Sequence, residues 1–381
     1  MLYEKQEDRV MKIDVVEEFI RLASLNSPSR REGKVAAYLT GRLWEMGLSP
    51  VLDDSARLSG SDTGNILVRI PGNAAGPAIL LCAHMDTVGP TEGMIPVIRD
   101  GVIYSNGETV LGADDKAGIA MILAAVSDIL EEGGAHGPLE LLFTVQEEIG
   151  LFGAKFFQTE LKSDFGYIID GDGPVGNIVT RSPSKVDLDF TLTGKAAHAA
   201  RPEQGINAIA VAAAAIARLK SGRIDDDTTI NVGLISGGKA RNIVPENAEV
   251  AIEIRSFNAD KLEEEVQKTI AAFTEEAAAA DAGVKIRREL NFETFSIPET
   301  HPVVINALRA AKAAGIEPTF KKSGGGMDAN VFNGRGLPCI GLGFGAQKMH
   351  SPEESIAISQ LRAGVRFIKK IGTEPLFFAG N

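Results

Sequence analysis

Apolar residues along the chain follow two rhythms. From Asp14 to Leu48 they recur at three- and four-residue spacing, which predicts two amphipathic helices. The stretch LNSPSRREG divides them, because Asn26, Ser27 and Pro28 supply turn and capping chemistry. Beyond it, short continuous apolar runs (NILVRI, AILLCA, LELLFTV, FGYIID and PCIGLGFG) read as strands, while KAGIAMILAAVSDIL and VVINALRAAKAAG have helical period. That alternation predicts an α/β fold, a mainly parallel sheet flanked by helices.

Between about residues 182 and 292 the texture changes. KVDLDFTLTG alternates polar and apolar as a half-exposed strand does, and an Ala-rich helix from Ile206 to Leu219 follows. Strands TTINVGLISGG and AEVAIEIRSF, a helix from Ala259 to Ala280 and a strand VKIRREL complete a β-α-β-β-α-β order, the ferredoxin-like split unit with one open sheet face. Parallel-sheet signals then resume. The reading is an α+β domain, 182–292, inserted into a domain made of 1–181 and 293–381.

At 381 residues the chain exceeds what one core usually supports, which agrees with two domains. A formal charge of −12 with no basic run argues against nucleic acid or an anionic membrane as partner. The start, MLYEKQEDRVMKIDVVEEF, has no apolar stretch of signal-peptide length, and no run elsewhere is long enough to span a bilayer, so a cytoplasmic protein is expected. Cys82 and Cys339 lie inside apolar runs without CxxC spacing and read as reduced packing residues.

The polar residues carry a positional regularity. AILLCA is followed by His84 and Asp86, LLFTVQ by Glu147 and Glu148, YII by Asp170 and Asp172, and IGLGFGAQKM by His350. In open α/β sheets the ligand crevice lies at the carboxyl ends of the strands, so these segments can converge. Asp114 and Asp115 stand before an apolar helix; one aspartate there is an ordinary cap, and the second is spare. Carboxylates and imidazoles suit Zn²⁺, Mn²⁺ or Co²⁺, and a bridging carboxylate holds two ions roughly 3.5–4 Å apart. One of the paired glutamates would ligate and the other serve as base for a water whose pKa the metal lowers, but spacing does not say which. His136 and His301 sit in turn-like contexts and read as surface residues, and Asp172 as a residue that supports the site's ligands or caps a loop.

The motifs AHMDTV, GADDKAG, TVQEEIG, IDGD, GKAAHAARPEQGINAI, ARNIVPENAEVAIEIRS, SGGGMDANVF and GLGFGAQKMHSPEES occur in this order. In that series the chain resembles the peptidase T-like members of the metallopeptidase family that also contains aminoacylase, the desuccinylase of lysine synthesis and carboxypeptidase G. The resemblance spans nearly the whole chain and implies a zinc-exopeptidase-like catalytic domain with a lid or dimerisation insert. It implies two divalent ions, Zn²⁺ first: His84 and Asp170 on one, Glu148 and His350 on the other, and Asp114 bridging them, with a cis bond to Asp115. Glu147 would be the general base and Asp86 would accept the His84 imidazole N–H and fix its tautomer. From the insert, His198 would stabilise the oxyanion, Asn242 and Arg255 would bind the far end of the substrate, and Gly325 would lie in a substrate loop.

The function so implied is an aminopeptidase of short peptides, tripeptidase-like because GADDKAG and SGGGMDAN are closest to the peptidase T forms, and a homodimer through the insert. The alternative is a deacylase of N-acyl amino acids or a carboxypeptidase using the same ions and base. A non-catalytic binder on this scaffold is disfavoured by the completeness of the site.

Overall fold

The computed structural model describes residues 12–374; the first part of the stretch weighed above as a targeting segment lies outside them. Among the described residues no helix is long and apolar enough to cross a membrane.

The chain divides into two compact units. One runs to Arg181 and resumes over Ser296–Ser323 and from Met327; the other is Ser182–Phe295 with Gly324–Gly326. Two short pieces therefore change sides relative to the expected boundaries. Thr294 belongs with the second unit because its N–H and Oγ1 donate to Ser184 Oγ (2.6 Å) and the Ser182 carbonyl (2.7 Å). The glycine run follows it, since the Gly325 carbonyl accepts Ser182 Oγ at 2.8 Å and the Gly324 carbonyl accepts Arg255 Nη1 at 2.9 Å. These contacts are distant in sequence, and no local pattern encodes them.

In the first unit, the two expected helices are Val15–Ala23 and Gly33–Glu45. Asp14 caps the former by accepting the N–H groups of Val16 and Glu17. The centre of the unit is a sheet in which Ile79–His84 pairs in parallel with Leu139–Thr144 on one side and with Phe165–Gly171 on the other, and Cys339–Gly343 continues it in parallel. Ile66–Ile70 and Asn177–Ser182 flank that core antiparallel. The Ile79–His84 and Leu139–Thr144 strands are buried at every position, which is why they read as unbroken apolar runs. The helix Ala113–Glu132 packs against this sheet and is buried throughout from Ala113 to Ser127. A small antiparallel sheet escaped the sequence reading: Val97–Arg99, Val102–Tyr104, Ser355–Ala357 and Ala346–Gln347. Its strands are two or three residues long, too short for a period to register.

The second unit is an antiparallel sheet in the spatial order Gly222–Arg223, Thr228–Gly237, Asn247–Ser256, Ser184–Thr193, Gly283–Phe292. Apart from the short first strand, this is the order of a ferredoxin-like split unit. The helices Ala208–Ala217 and Ala259–Ala279 pack on one face around Phe190 and Phe273, whose rings stack at 3.8 Å.

Candidate metal centre

Register places the chemistry. His84 ends its strand opposite Thr144, so the Glu147–Glu148 loop that follows Thr144 emerges beside it. Asp170 is near the end of the adjacent parallel strand, and the small antiparallel sheet brackets the loop that carries His350.

Asp114 lies between two imidazoles. Its Oδ1 is 3.1 Å from His84 Nε2 and its Oδ2 is 3.2 Å from His350 Nε2. His350 Nε2 is in turn 3.1 Å from Glu148 Oε1, a buried atom that receives no hydrogen bond. One ligand atom each from His84, Asp114 and Glu148 lie within 4.8 Å of one another, and the same holds for His84, Glu147 and Asp170. Two donors about 2.0 Å from one tetrahedral ion stand roughly 3.3 Å apart, so the spacings suit ions such as zinc.

The electrostatics agree. Burial pushes Glu147 and Asp170 well above the ordinary carboxylate range, with Glu148 beside the first and Asp114 beside the second adding to it. Although burial opposes it, hydrogen bonds with His350 and His84 hold Asp114 below that range, and Asp114 and Glu148 push His350 up to about 10. Crowded, part-buried carboxylates are costly without a strong positive charge, which a divalent ion supplies.

Asp114 has non-helical backbone angles (φ −82, ψ 106), and its peptide bond to Asp115 is cis. Asp115 is the cap: its Oδ1 accepts the Gly118 N–H and its Oδ2 the His84 N–H, both at 3.2 Å. Gly118 is needed here because a Cβ would stand 2.7 Å from the Ile169 carbonyl and 2.3 Å from Asp115 Oδ1. The spare aspartate is therefore Asp114, freed to face the histidines.

Asp86 faces the His84 ring with both its carbonyl and its carboxylate. The short contact of His84 Nδ1 is with the Asp86 backbone carbonyl (2.9 Å), and the carboxylate is 3.4 Å away. A carbonyl only accepts, so Nδ1 carries the proton and Nε2 keeps its lone pair for a metal. The Asp86 carboxylate also accepts the N–H groups of Glu147 (2.9 Å) and Glu148 (3.3 Å) and the Ser29 hydroxyl (2.6 Å).

Sequence reasoning missed Glu354, although it falls inside the quoted HSPEES. It is buried and accepts the N–H groups of Gly112 (2.7 Å) and Asp114 (3.1 Å), tethering the segment that presents Asp114. It also missed Asn65 and Glu32, which grip the glutamate loop from distant segments and have no local signature. His136 is a correction: it is buried, with Nδ1 2.8 Å from the Gly137 carbonyl and its backbone N–H bonded to Asn73. The turn that holds it folds onto the Asn73 loop instead of facing solvent. His301 is half-buried and caps the Pro302–Ala313 helix through Nδ1, and Asp172 accepts the Ser323 hydroxyl at 3.1 Å.

In the second unit, His198 is exposed and its Nδ1 accepts the Ala200 N–H at 3.1 Å. Asn242 is exposed and its carbonyl accepts the Ala199 N–H. The Arg255 fork is taken by Glu253 (2.6 and 3.2 Å), and its remaining arm holds the Gly324 carbonyl. Cys82 and Cys339 are buried and free.

A centre of imidazoles and carboxylates at the carboxyl ends of parallel strands, built around one aspartate shared by two histidines, defines a metal-dependent hydrolase. The chain belongs to Peptidase family M20/M25/M40, whose description matches residues 80–374, and is thus a metallopeptidase that hydrolyses peptide bonds. It is 36% identical over 349 residues to the Bacillus subtilis (strain 168) protein YqjE, covering 91% of this chain and 94% of that protein. Among solved structures, aminopeptidase PepT from Bacillus cereus ATCC 10987 is 36% identical with a TM-score of 0.89, covering 94% of this chain and 97% of that one. A tripeptidase from Staphylococcus aureus subsp. aureus mu50 is 32% identical with a TM-score of 0.92, covering 96% and 99%.

Proposed function

We propose that the protein is an aminopeptidase of short peptides, tripeptides foremost, working with a pair of divalent ions, zinc first and cobalt or manganese as alternatives. The observation that carries the two-ion reading is Asp114, each of whose carboxylate oxygens faces its own imidazole. In that reading His84 and Asp170 hold one ion, Glu148 and His350 the other, and Asp114 both. When bound, the ions supply Lewis-acid polarisation of the scissile carbonyl and lower the pKa of water.

The remaining work falls to the chain. Glu147 takes the proton of the attacking water on its carboxylate and returns it to the leaving nitrogen; burial, which raises its pKa, suits a group that must both accept and release that proton. Asp86 holds the backbone of Glu147 and Glu148, and its carbonyl sets the His84 tautomer. His198 stabilises the oxyanion: with Nδ1 accepting from Ala200, the neutral ring bears its proton on Nε2, free to donate. Asn242, Arg255 and the Gly325 loop receive the far end of the substrate, and the Arg255–Gly324 hydrogen bond, which links two of these elements, supports that grouping.

A homodimer through the second unit is part of the proposal. The strand Thr228–Gly237 pairs with Gly222–Arg223 only at Ile230 and Thr229, and Leu234 and Ile235 further along are exposed (72% and 55%); an open edge with apolar side chains favours pairing across a two-fold axis. Two free, buried cysteines suit a reducing, cytoplasmic setting.

The names of the similar structures, an aminopeptidase and a tripeptidase, support the substrate class. The test is product analysis by mass spectrometry on a tripeptide and its N-acetylated twin, with metal-loaded and chelated protein. Release of the first residue from the free tripeptide alone, abolished by chelation, is expected. Cleavage of the acyl group, or only at the carboxyl end, would instead assign the deacylase or carboxypeptidase activity.

A further inference from the structure

The loop carrying Glu147 is gripped at consecutive backbone positions. Val145 N–H donates to Asn65 Oδ1 (3.0 Å), Gln146 N–H to Glu32 Oε1 (3.1 Å), Glu147 N–H to Asp86 Oδ1 (2.9 Å) and Glu148 N–H to Asp86 Oδ2 (3.3 Å). The carbonyls are taken as well: Val145 O accepts Gly153 N–H (2.8 Å), Gln146 O accepts Phe152 N–H (3.1 Å) and Glu147 O accepts Leu151 N–H (2.9 Å). Gln146 sits at φ 52, a left-handed conformation that a residue with a side chain holds only when its surroundings over-determine it.

Glu32 reaches this loop from the start of a helix. It immediately precedes the Gly33–Glu45 helix, yet makes no side-chain cap for that helix. Its side chain is buried, and among the described residues no ion pair reaches it. Oε1 accepts the N–H groups of Arg30 (2.9 Å) and Gln146, and Oε2 accepts the Ser61 hydroxyl. A carboxyl in a buried site is costly unless its oxygens are satisfied, and here one oxygen alone accepts two backbone N–H groups from separate segments.

We propose that Glu32 is a positioning residue for catalysis: through the Gln146 N–H it fixes the left-handed turn that aims the Glu147 carboxylate. This rests on the reading of Glu147 as the general base. A purely structural tie between the helix start, the Ser61 loop and the glutamate loop would use the same contacts, so the two roles must be separated by what they do to turnover in metal-loaded, folded protein.

The experiment is a double-mutant cycle on a tripeptide, measuring kcat, KM, bound metal and circular dichroism for the parent, E32A, E32Q, E147Q and E32A/E147Q at saturating metal. E147Q is expected to lose at least about 10³-fold in kcat. E32A is expected to lose about 30- to 100-fold in kcat, with KM within roughly threefold and full metal content. E32Q is expected to recover to within roughly threefold, because its amide oxygen still accepts both N–H groups. Since Glu32 acts through Glu147, E32A should add less than roughly threefold once Glu147 is gone. An E32A loss that multiplies fully in the E147Q background, that follows lost metal in folded protein, or that is smaller than roughly threefold overturns the proposal. Parent-like turnover by E147Q would overturn the general-base reading itself, whatever Glu32 does. Should E32A fail to fold, E32D, whose carboxylate is drawn back by one methylene, replaces it with the same expected pattern.

Discussion

Asp86 Oδ1 accepts the backbone N–H of Glu147 at 2.9 Å, so the carboxylate beside the His84 ring also holds the neighbouring loop, while the Asp86 carbonyl makes the shorter contact to the ring. Replacing Asp86 by Ala strands the N–H groups of Glu147 and Glu148 and the Ser29 hydroxyl in a buried site. Groups that orient metal ligands in this way typically cost about 10- to 100-fold in metal affinity or activity when removed. Metal titration and kcat/KM at saturating metal would check this, and an unchanged metal affinity together with unchanged kcat/KM would count against the role given to Asp86.

Chelation should abolish activity and lower the melting temperature, with both restored on adding metal. Metal held by residues that converge only in the folded chain would stabilise that state, by about 2.7 kcal/mol at a metal concentration 100 times the dissociation constant. Thermal unfolding with and without chelator reads the effect. Identical melting curves would mean that His84, Asp114, Glu148, Asp170 and His350 do not bind metal tightly.

Two glycine-to-alanine changes should act in opposite directions. Gly118→Ala forces a Cβ against the Ile169 carbonyl and Asp115 Oδ1 and should destabilise by about 1–3 kcal/mol, with loss of metal as Asp115 shifts. Gly41→Ala lies within the Gly33–Glu45 helix, exposed and with nothing within 4 Å of the new Cβ, and should stabilise by about 0.5–1 kcal/mol. Urea unfolding of the pair decides it.

His301 gives a pH dependence away from the metal centre. Its Nδ1 accepts the Val303 N–H, which requires the neutral ring, and burial holds its pKa below 6.5. As pH falls through 6.5 the unfolded chain takes up a proton before the folded one does, so the unfolded state is favoured. The stability His301 contributes is thus present above that pH and lost below it. His301→Asn keeps a cap that does not titrate, so the difference in urea midpoint between parent and variant should shift in the variant's favour from pH 7.5 to about 5.5. A difference independent of pH would remove His301 from this role.

The parallel strands, the long buried helix and the β-α-β-β-α-β unit were legible because burial on both faces, on one stripe or on alternate positions writes a period into the chain. The ends of those strands were legible too, since a polar residue that closes an apolar run has few ordinary reasons to be there; His84, Glu147, Glu148, Asp170 and His350 stand out as candidates by that logic, and Asp114 as one of a pair ahead of a helix. The division of labour between Asp114 and Asp115 was partly visible, as a cap and a spare, but which was which depended on the backbone angles at Asp114.

What the sequence alone determined is the set of reactive groups and the layered architecture that delivers them to one edge of a sheet, because both follow from local periodicity and from where each apolar run stops. Tertiary structure decided how those groups are held: the Asp86 carbonyl on His84, the Glu354 tether on Asp114, the small sheet beside His350, and the Asn65 and Glu32 contacts to the glutamate loop. Most of these contacts join side chains to backbone groups dozens or hundreds of positions away. Such a hydrogen bond leaves no periodic trace at either end, so it exists only once packing has brought the two segments together.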